Sequence, residues 1–170
     1  MSATIAIDET GRFAGYASLF GQVDQGGDIV MPGAFAKSLK AKGQGGVRLL
    51  FQHDPKEPIG IWEHIAEDRT GLWAEGRLLP GVERGDALRR LIEGGAIDGL
   101  SIGFRTQRAT REAATGHRRL WQIDLWEISI VTFPMMDGAR IARASAPVAS
   151  ARQTRPLEAT ISAAIHLLRN

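Results

Sequence analysis

The sequence predicts a mainly β domain with flanking helices. Three observations predict it: apolar and polar residues alternate over several short stretches, clusters of Gly, Asp and Pro separate those stretches, and apolar residues take helical spacing in only a few places. The length of 170 residues suits one domain with a modest tail, large enough to bury its core without cross-links.

Residues 11–20 alternate well enough for a strand, and their glycines suit a bulge or a closely approached backbone. Asp24, Gly26, Gly27 and Asp28 make a polar turn, and residues 31–39 then place Phe35 and Leu39 on one face of a short helix. Glycines at 43, 45 and 46 end it. Residues 47–51 form a mostly apolar strand that stops at Asp54-Pro55, because the residue before a proline is pushed out of helical geometry. His53 therefore sits at a strand end.

Residues 59–66 and 72–79 alternate on either side of the turn at 68–71 and read as a hairpin. Within 83–93, Ala87, Leu88, Leu91 and Ile92 have helical spacing, and Gly94-Gly95 supplies the stop. Leu100, Ile102 and Phe104 share one face of the next strand, and Ser101, Gly103 and Arg105 share the other. A polar stretch over 106–119 separates it from strands at 120–123 and 125–133. Ala, Ser, Arg and Pro dominate 142–156, a composition that cannot bury enough apolar area to order itself. Beyond it Leu157, Ile161, Ile165 and Leu168 fall on one stripe. The expected organisation is a folded domain over 1–141, a flexible linker over 142–156 and an amphipathic helix or tail over 157–170.

Composition excludes several classes. With no cysteine there are no disulfides, thiolate nucleophiles or thiolate-held zinc, which fits a reducing compartment such as the cytoplasm. The first residues have no basic start followed by a long apolar stretch, so no secretory signal is read there, and no apolar run is long enough to span a bilayer. A formal charge of +2, from scattered rather than clustered arginines, is a poor match to a nucleic-acid surface. The four histidines are too dispersed for a hydrolytic metal site, and Asp24 and Asp28 lack the ligand density of a calcium loop. Neither a metal nor an organic cofactor is expected.

Three segments each end an apolar run with a chemically competent residue: His53 after Leu49-Leu50-Phe51-Gln52, Ser101 after Gly99-Leu100, and Glu127 after Leu125-Trp126. A hydroxyl, an imidazole and a carboxylate are the parts of a nucleophilic acyl-transfer site, whatever their order along a chain. Each also has a plain structural reading. Ser101 suits the wetter face of a strand, and His53 a surface or capping place beside Asp54. Glu127, taken as extended, shares a mostly apolar face with Leu125, Ser129, Val131 and Phe133, where a carboxylate needs a polarised partner. A histidine N–H would serve, and so would an arginine. His64 is the rival base, and Asp124 and Asp54 are the substitute orienting acids.

The same segments carry a resemblance. The runs 15–20, 28–35, 50–54, 99–104 and 124–131, with Pro134 after the last, resemble in order and content the phage prohead maturation proteases related to herpesvirus assemblins. The resemblance covers about residues 13–141 and implies a compact antiparallel β-barrel with helices around it. It implies a serine endopeptidase that cleaves scaffold segments and capsid-protein extensions inside a procapsid, in the host cell cytoplasm, and often cleaves itself. On it Ser101 matches the nucleophile, His53 the base, and Glu127 the third, orienting member. The herpesvirus relatives use a second histidine in that third place, so a carboxylate here is a departure. Backbone N–H groups near Ile102 and Gly103 would then face the oxyanion, with Arg105 as an electrostatic helper. The implied partners are a major capsid protein and its scaffold segment, with a homodimer suggested by the herpesvirus relatives; nucleic acid and membrane are not among them.

Two other classes compete. A non-catalytic assembly module of the same fold would bind the shell without cutting it, and a general hydrolase would need a large enclosed apolar pocket beside Ser101, where a peptide needs only an extended groove.

Overall fold

The computed structural model describes residues 7–142; the expected linker, apart from Ala142, and the expected tail helix lie outside them. Among the described residues, seven strands and two α-helices follow one another as β1 (Arg12–Leu19), β2 (Asp28–Val30), α1 (Ala36–Lys42), β3 (Arg48–Phe51), β4 (Asp54–Glu67), β5 (Gly71–Leu78), α2 (Glu83–Glu93), β6 (Gly99–Arg111) and β7 (Arg118–Val131), with one 3-10 turn at Gln44–Gly46. The fold is thus mainly β. One sheet holds all seven strands in the order β1-β5-β4-β3-β7-β2, with β6 on the other side of β7.

β7 organises the molecule. Its 14 residues pair with β6 along one edge, and with both β2 and β3 along the other. The β6–β7 pairing is antiparallel, but β2 and β3 both run parallel to β7, so the sheet is mixed where the resemblance implied an antiparallel one. Ile123, Leu125, Ile128 and Ile130 of β7 are fully buried, and Leu49, Leu100 and Ile92 pack in the same core.

Those four apolar residues of β7 do not have one period. Gly103 pairs with Glu127 and Phe104 with Leu125, so Trp126 is an extra residue, a bulge that shifts the side-chain phase by one. The bulge keeps Leu125 in the core alongside Ile128 and Ile130, and it turns Glu127 and Ser129 to the other face. The expected face shared by Leu125 and Glu127 is therefore corrected. Glu127 is not on the core face at all.

Other differences have local causes. The first helix starts at Ala36 rather than 31, because Gly33 lies in the left-handed region at φ 85° and the chain turns there, with the Ala34 N–H donating to Met31 O. The polar stretch 106–119 contains no separating loop longer than 112–117: β6 continues to Arg111, held by its ladder to β7 rather than by burial. β2 is new, a three-residue strand. The hairpin β4–β5 and helix α2 stand where the sequence places them. α2 buries Gly85, Leu88 and Ile92 and leaves Leu91 exposed, and it closes at Gly95, φ 71°, where the N–H groups of Gly94, Gly95 and Ala96 donate to Arg90 O, Ile92 O and Leu91 O.

The sheet curls until β1 and β6 come near each other. Ile141 bridges to Gly15 of β1 and Arg140 to Gly99 of β6, so this segment joins the two strands, and a cavity lined by Ala17 and Ser18 of β1 and by Leu100, Ile102 and Phe104 of β6 marks the seam between them. Among the described residues no helix is long and apolar enough to cross a membrane.

Candidate active site

The two strands flanking the bulged part of β7 deliver the chemistry. Ser101 of β6 lies directly opposite Ser129, and Gly103 directly opposite Glu127, so the four residues share one face of the β6–β7 ladder. On the other side β3 runs parallel to β7, with Phe51 paired to Ile130, and His53 follows two residues later. Pairing alone brings the three segments together.

The reversal after Phe51 is tight. Gln52 and His53 have φ of 53° and 59°, a left-handed conformation that costs non-glycine residues about 1–3 kcal/mol each and persists only where the surroundings hold it. Three bonds hold it here. The Gln52 N–H donates to Ile130 O at 3.0 Å, the Gln52 side-chain amide donates to Thr132 Oγ1 at 2.6 Å, and the His53 N–H donates to Ser129 Oγ at 3.1 Å. The imidazole is thereby turned back over β7.

His53 Nδ1 lies 2.6 Å from Glu127 Oε1, and His53 Nε2 lies 3.0 Å from Ser101 Oγ. A carboxylate only accepts, so Nδ1–H donates to it, Nε2 is left as an acceptor, and the Ser101 hydroxyl donates to Nε2. Ser101 is 4% exposed, whereas the side chains of His53 and Glu127 are 41% and 12% exposed. The Ser101 oxygen is therefore sheltered and the imidazole is open to solvent. The second carboxylate oxygen of Glu127 accepts from the Ser129 hydroxyl at 2.6 Å, so both oxygens are engaged.

Sequence reasoning missed Ser129, and it took Gly103 only as a backbone donor. A Cβ on Gly103 would lie 1.9 Å from Glu127 Oε1, so the absence of a side chain there is what lets the carboxylate reach His53. Backbone N–H groups alternate sides along a strand, and that of Leu100 points away from β7 to Ala139 O. By the same alternation the Ile102 N–H faces the seam and the Gly103 N–H faces β7. Arg105 is exposed, in register with Asp124.

The substitute acids are elsewhere. Asp124 pairs with Lys42 and also bonds Trp126 and Ser38; the Lys42 ammonium, more than the other two, holds its carboxyl below the usual aspartate range. Asp54 Oδ1 accepts the Lys56 N–H at 2.8 Å. His64 lies exposed on β4 opposite Glu75. Asp24 Oδ1 accepts the N–H groups of Gly26 and Asp28, and the Asp28 carboxylate is gripped by the Arg118 guanidinium, one bond at 2.7 Å. No group of His, Asp and Glu that could hold a metal occurs among the described residues.

A cavity of about 140 Å³ opens at the seam against Ser101. Its walls include Ala17, Leu100, Ile102, Phe104 and Met135, and the Asp24–Asp28 loop completes it. It is mostly apolar, and it adjoins Ser101.

Comparison with known proteins identifies the family. The chain is 36% identical over 151 residues to the prohead protease of Enterobacteria phage HK97, a match covering 82% of this chain and 67% of that protein. It is 27% identical over 124 residues to the prohead protease of Escherichia phage T5, covering 72% of this chain and 58% of that one. Among solved structures, the bacteriophage T4 capsid assembly protease superposes with a TM-score of 0.59 at 17% identity, over 76% of this chain and 89% of its own. KSHV protease, solved with a hexapeptide phosphonate inhibitor, superposes with a TM-score of 0.52 at 10% identity, over 79% of this chain and 65% of its own. At such identities these two likenesses speak for the fold. The profile of the Caudovirus prohead serine proteases matches residues 2–154, so the chain belongs to that family and is a serine protease.

Proposed function

We propose that Ser101, His53 and Glu127 are the working row of this protease, and that it cleaves capsid-protein and scaffold segments inside a phage procapsid. The observation that carries the reading is the unbroken hydrogen-bonded chain from Glu127 Oε1 through both imidazole nitrogens to Ser101 Oγ, at 2.6 and 3.0 Å.

In this mechanism Ser101 Oγ attacks the scissile carbonyl carbon as its proton passes to His53 Nε2. The imidazolium so formed keeps its Nδ1–H on Glu127, whose charge offsets it. Collapse of the tetrahedral intermediate expels the amine, which takes the proton from Nε2, and a water molecule repeats the sequence to free the acyl group. The Ile102 N–H, on the seam side, is the backbone donor best placed for the oxyanion, with Arg105 in a lesser role; the Gly103 N–H faces β7, which turns that expected donor away from the seam.

The substrate on this reading is an extended peptide along the β1–β6 seam, one side chain entering the cavity beside Ser101. That cavity is small, which favours an anchored peptide over an enclosed small molecule. Confinement with the substrate inside a shell raises effective concentration and relieves the enzyme of any need for tight binding. The domain over 1–141, a self-cleavage region in 142–156, a docking tail over 157–170 and a homodimer belong to the same proposal. So does closure of the sheet into a full barrel, supported by the bridges at Arg140 and Ile141.

The test is co-expression with the major capsid protein of the same source, followed by mass spectrometry of the termini. New capsid termini are expected with the native chain and none with Ser101→Ala or His53→Ala. Processing that continues unchanged in Ser101→Ala overturns the reading.

A further inference from the structure

Ser129 is a buried polar group in direct contact with His53 and Glu127 to which the mechanism gives no part. It is fully buried, and it lies opposite Ser101 on the neighbouring strand. Its hydroxyl donates to Glu127 Oε2 at 2.6 Å while its oxygen accepts the His53 main-chain N–H at 3.1 Å. With the bond from His53 Nδ1 to Glu127 Oε1 at 2.6 Å, these contacts close a ring: His53 backbone to Ser129, Ser129 to Glu127, Glu127 to the His53 imidazole.

We propose that Ser129 is a positioning residue that locks the imidazole of His53 in one tautomer and one orientation, acting on both ends of the histidine at once. The proposal rests on the reading of Ser101, His53 and Glu127 given above.

Hydrogen counting supports it. A serine hydroxyl has one proton, and here it goes to the carboxylate, so Glu127 receives a donor on each oxygen and cannot rotate to offer Oε2 to the ring without breaking a bond. The remaining donor reaching Glu127 must be Nδ1–H, which leaves Nε2 bare for the Ser101 proton. At the other end, the His53 backbone is in the left-handed region at φ 59°, a state that needs outside support. The Ser129 oxygen supplies part of that support from the strand that carries Glu127. Acid and base are therefore indexed to each other through one side chain, rather than through two independently placed elements.

A purely structural serine, buried and merely satisfied, would predict something different: lower melting temperature with chemistry intact once the protein is folded. The experiment measures inactivation of the purified full chain by a fluorophosphonate, a probe that reports an activated serine, and separates the maximal rate kinact from the binding constant KI. Ser129→Ala removes one oxygen and adds nothing, and Ser129→Cys serves where the alanine variant does not fold. A misplacement of the base costs on the order of tenfold to a hundredfold in rate, so kinact is expected to fall at least about tenfold with KI within about twofold. Ser129→Thr, which restores a hydroxyl, is expected to recover most of the rate.

In parallel, ¹⁵N-histidine spectra read the tautomer directly. The His53 signal, assigned by its loss in His53→Ala, is expected to show a single Nδ1–H form in the native chain and averaging between tautomers in Ser129→Ala. Native kinact and an unchanged Nδ1–H signature in the folded alanine or cysteine variant overturn the role of Ser129 alone. Failure of the native chain to react with the probe, or equal reaction by Ser101→Ala, overturns the underlying reading and this inference with it.

Discussion

The carboxylate of Glu127 occupies the space that a side chain on Gly103 would need: a methyl group there would meet Oε1 at 1.9 Å. The two residues face each other across the β6–β7 ladder, one supplying an acid and the other the room for it. Gly103→Ala is thus expected to displace the acid from His53 Nδ1. Because Gly103 has no left-handed φ, alanine is tolerated by the backbone and the fold should survive. The expected outcome is at least a hundredfold loss of fluorophosphonate reactivity, roughly what misplacing a catalytic partner costs, with a cooperative melt retained. Gly103→Ala with native reactivity would show that Glu127 is not needed where it stands.

Replacing the acid tests its charge instead of its place. Glu127→Gln keeps the shape but offers His53 an amide that can donate, which favours the tautomer with its proton on Nε2 and takes away the acceptor for Ser101. In the Ser-His-Asp template such a change lowers kcat about 10⁴-fold. A loss of about 10³–10⁴-fold in capsid processing is expected here, with Ser129 and the fold undisturbed. Single-turnover processing followed by gel densitometry checks it, and a loss below tenfold would assign the orienting role to another group.

How far the site was legible turns on one residue, Trp126. Around the middle of β7 the isoleucines and leucine fall at 123 and 125, then at 128 and 130, and that three-residue step is the mark of a bulge. Read as uninterrupted alternation, the segment put Glu127 on the core face and hid Ser129; with the phase shifted, Glu127 and Ser129 fall together opposite Gly103 and Ser101. The strand carrying Ser101 was visible because Leu100, Ile102 and Phe104 alternate with smaller or polar residues, and the strand leading to His53 because its run over 47–51 is mostly apolar. β2 and the outer half of β6 were not, since three residues are too few for a period and a polar hairpin arm held by its ladder shows none. The left-handed pair Gln52–His53 was also invisible, because nothing in a Gln-His step requests that conformation.

The lining of the cavity beside Ser101 predicts a charge preference. Asp28 is matched by Arg118, but Asp24 adds a further carboxylate to the same lining, so an acidic substrate side chain entering there meets an unfavourable field. Once the scissile bond is mapped, replacing the residue before it by Glu is expected to slow cleavage at least about tenfold relative to Gln, its neutral isostere. Asp24→Asn should narrow that gap. Equal cleavage of the Glu and Gln substrates by the native protein would place the side chain somewhere other than this cavity.

Acid stability has a separate origin, at Glu63. Its carboxylate takes Arg12 of β1 at 2.8 Å and Arg77 of β5 at 2.7 Å, tying together three neighbouring strands. The Arg12 guanidinium foremost, and Arg77 after it, hold the carboxyl below the usual glutamate range. A carboxyl with a lowered folded-state pKa binds its proton more readily when unfolded. Its stabilising effect is therefore complete above the ordinary glutamate value of about 4.3 and disappears as the pH falls through the lower folded value. Solvent exposure of the pair keeps the effect modest. Melting temperature measured from pH 7 down to pH 3 is expected to decline more steeply below about pH 4.5 in the native chain than in Glu63→Gln, which starts lower and has no such proton to take up. Parallel curves for the two proteins across that range would show that the Arg12–Glu63–Arg77 cluster contributes nothing to the pH dependence.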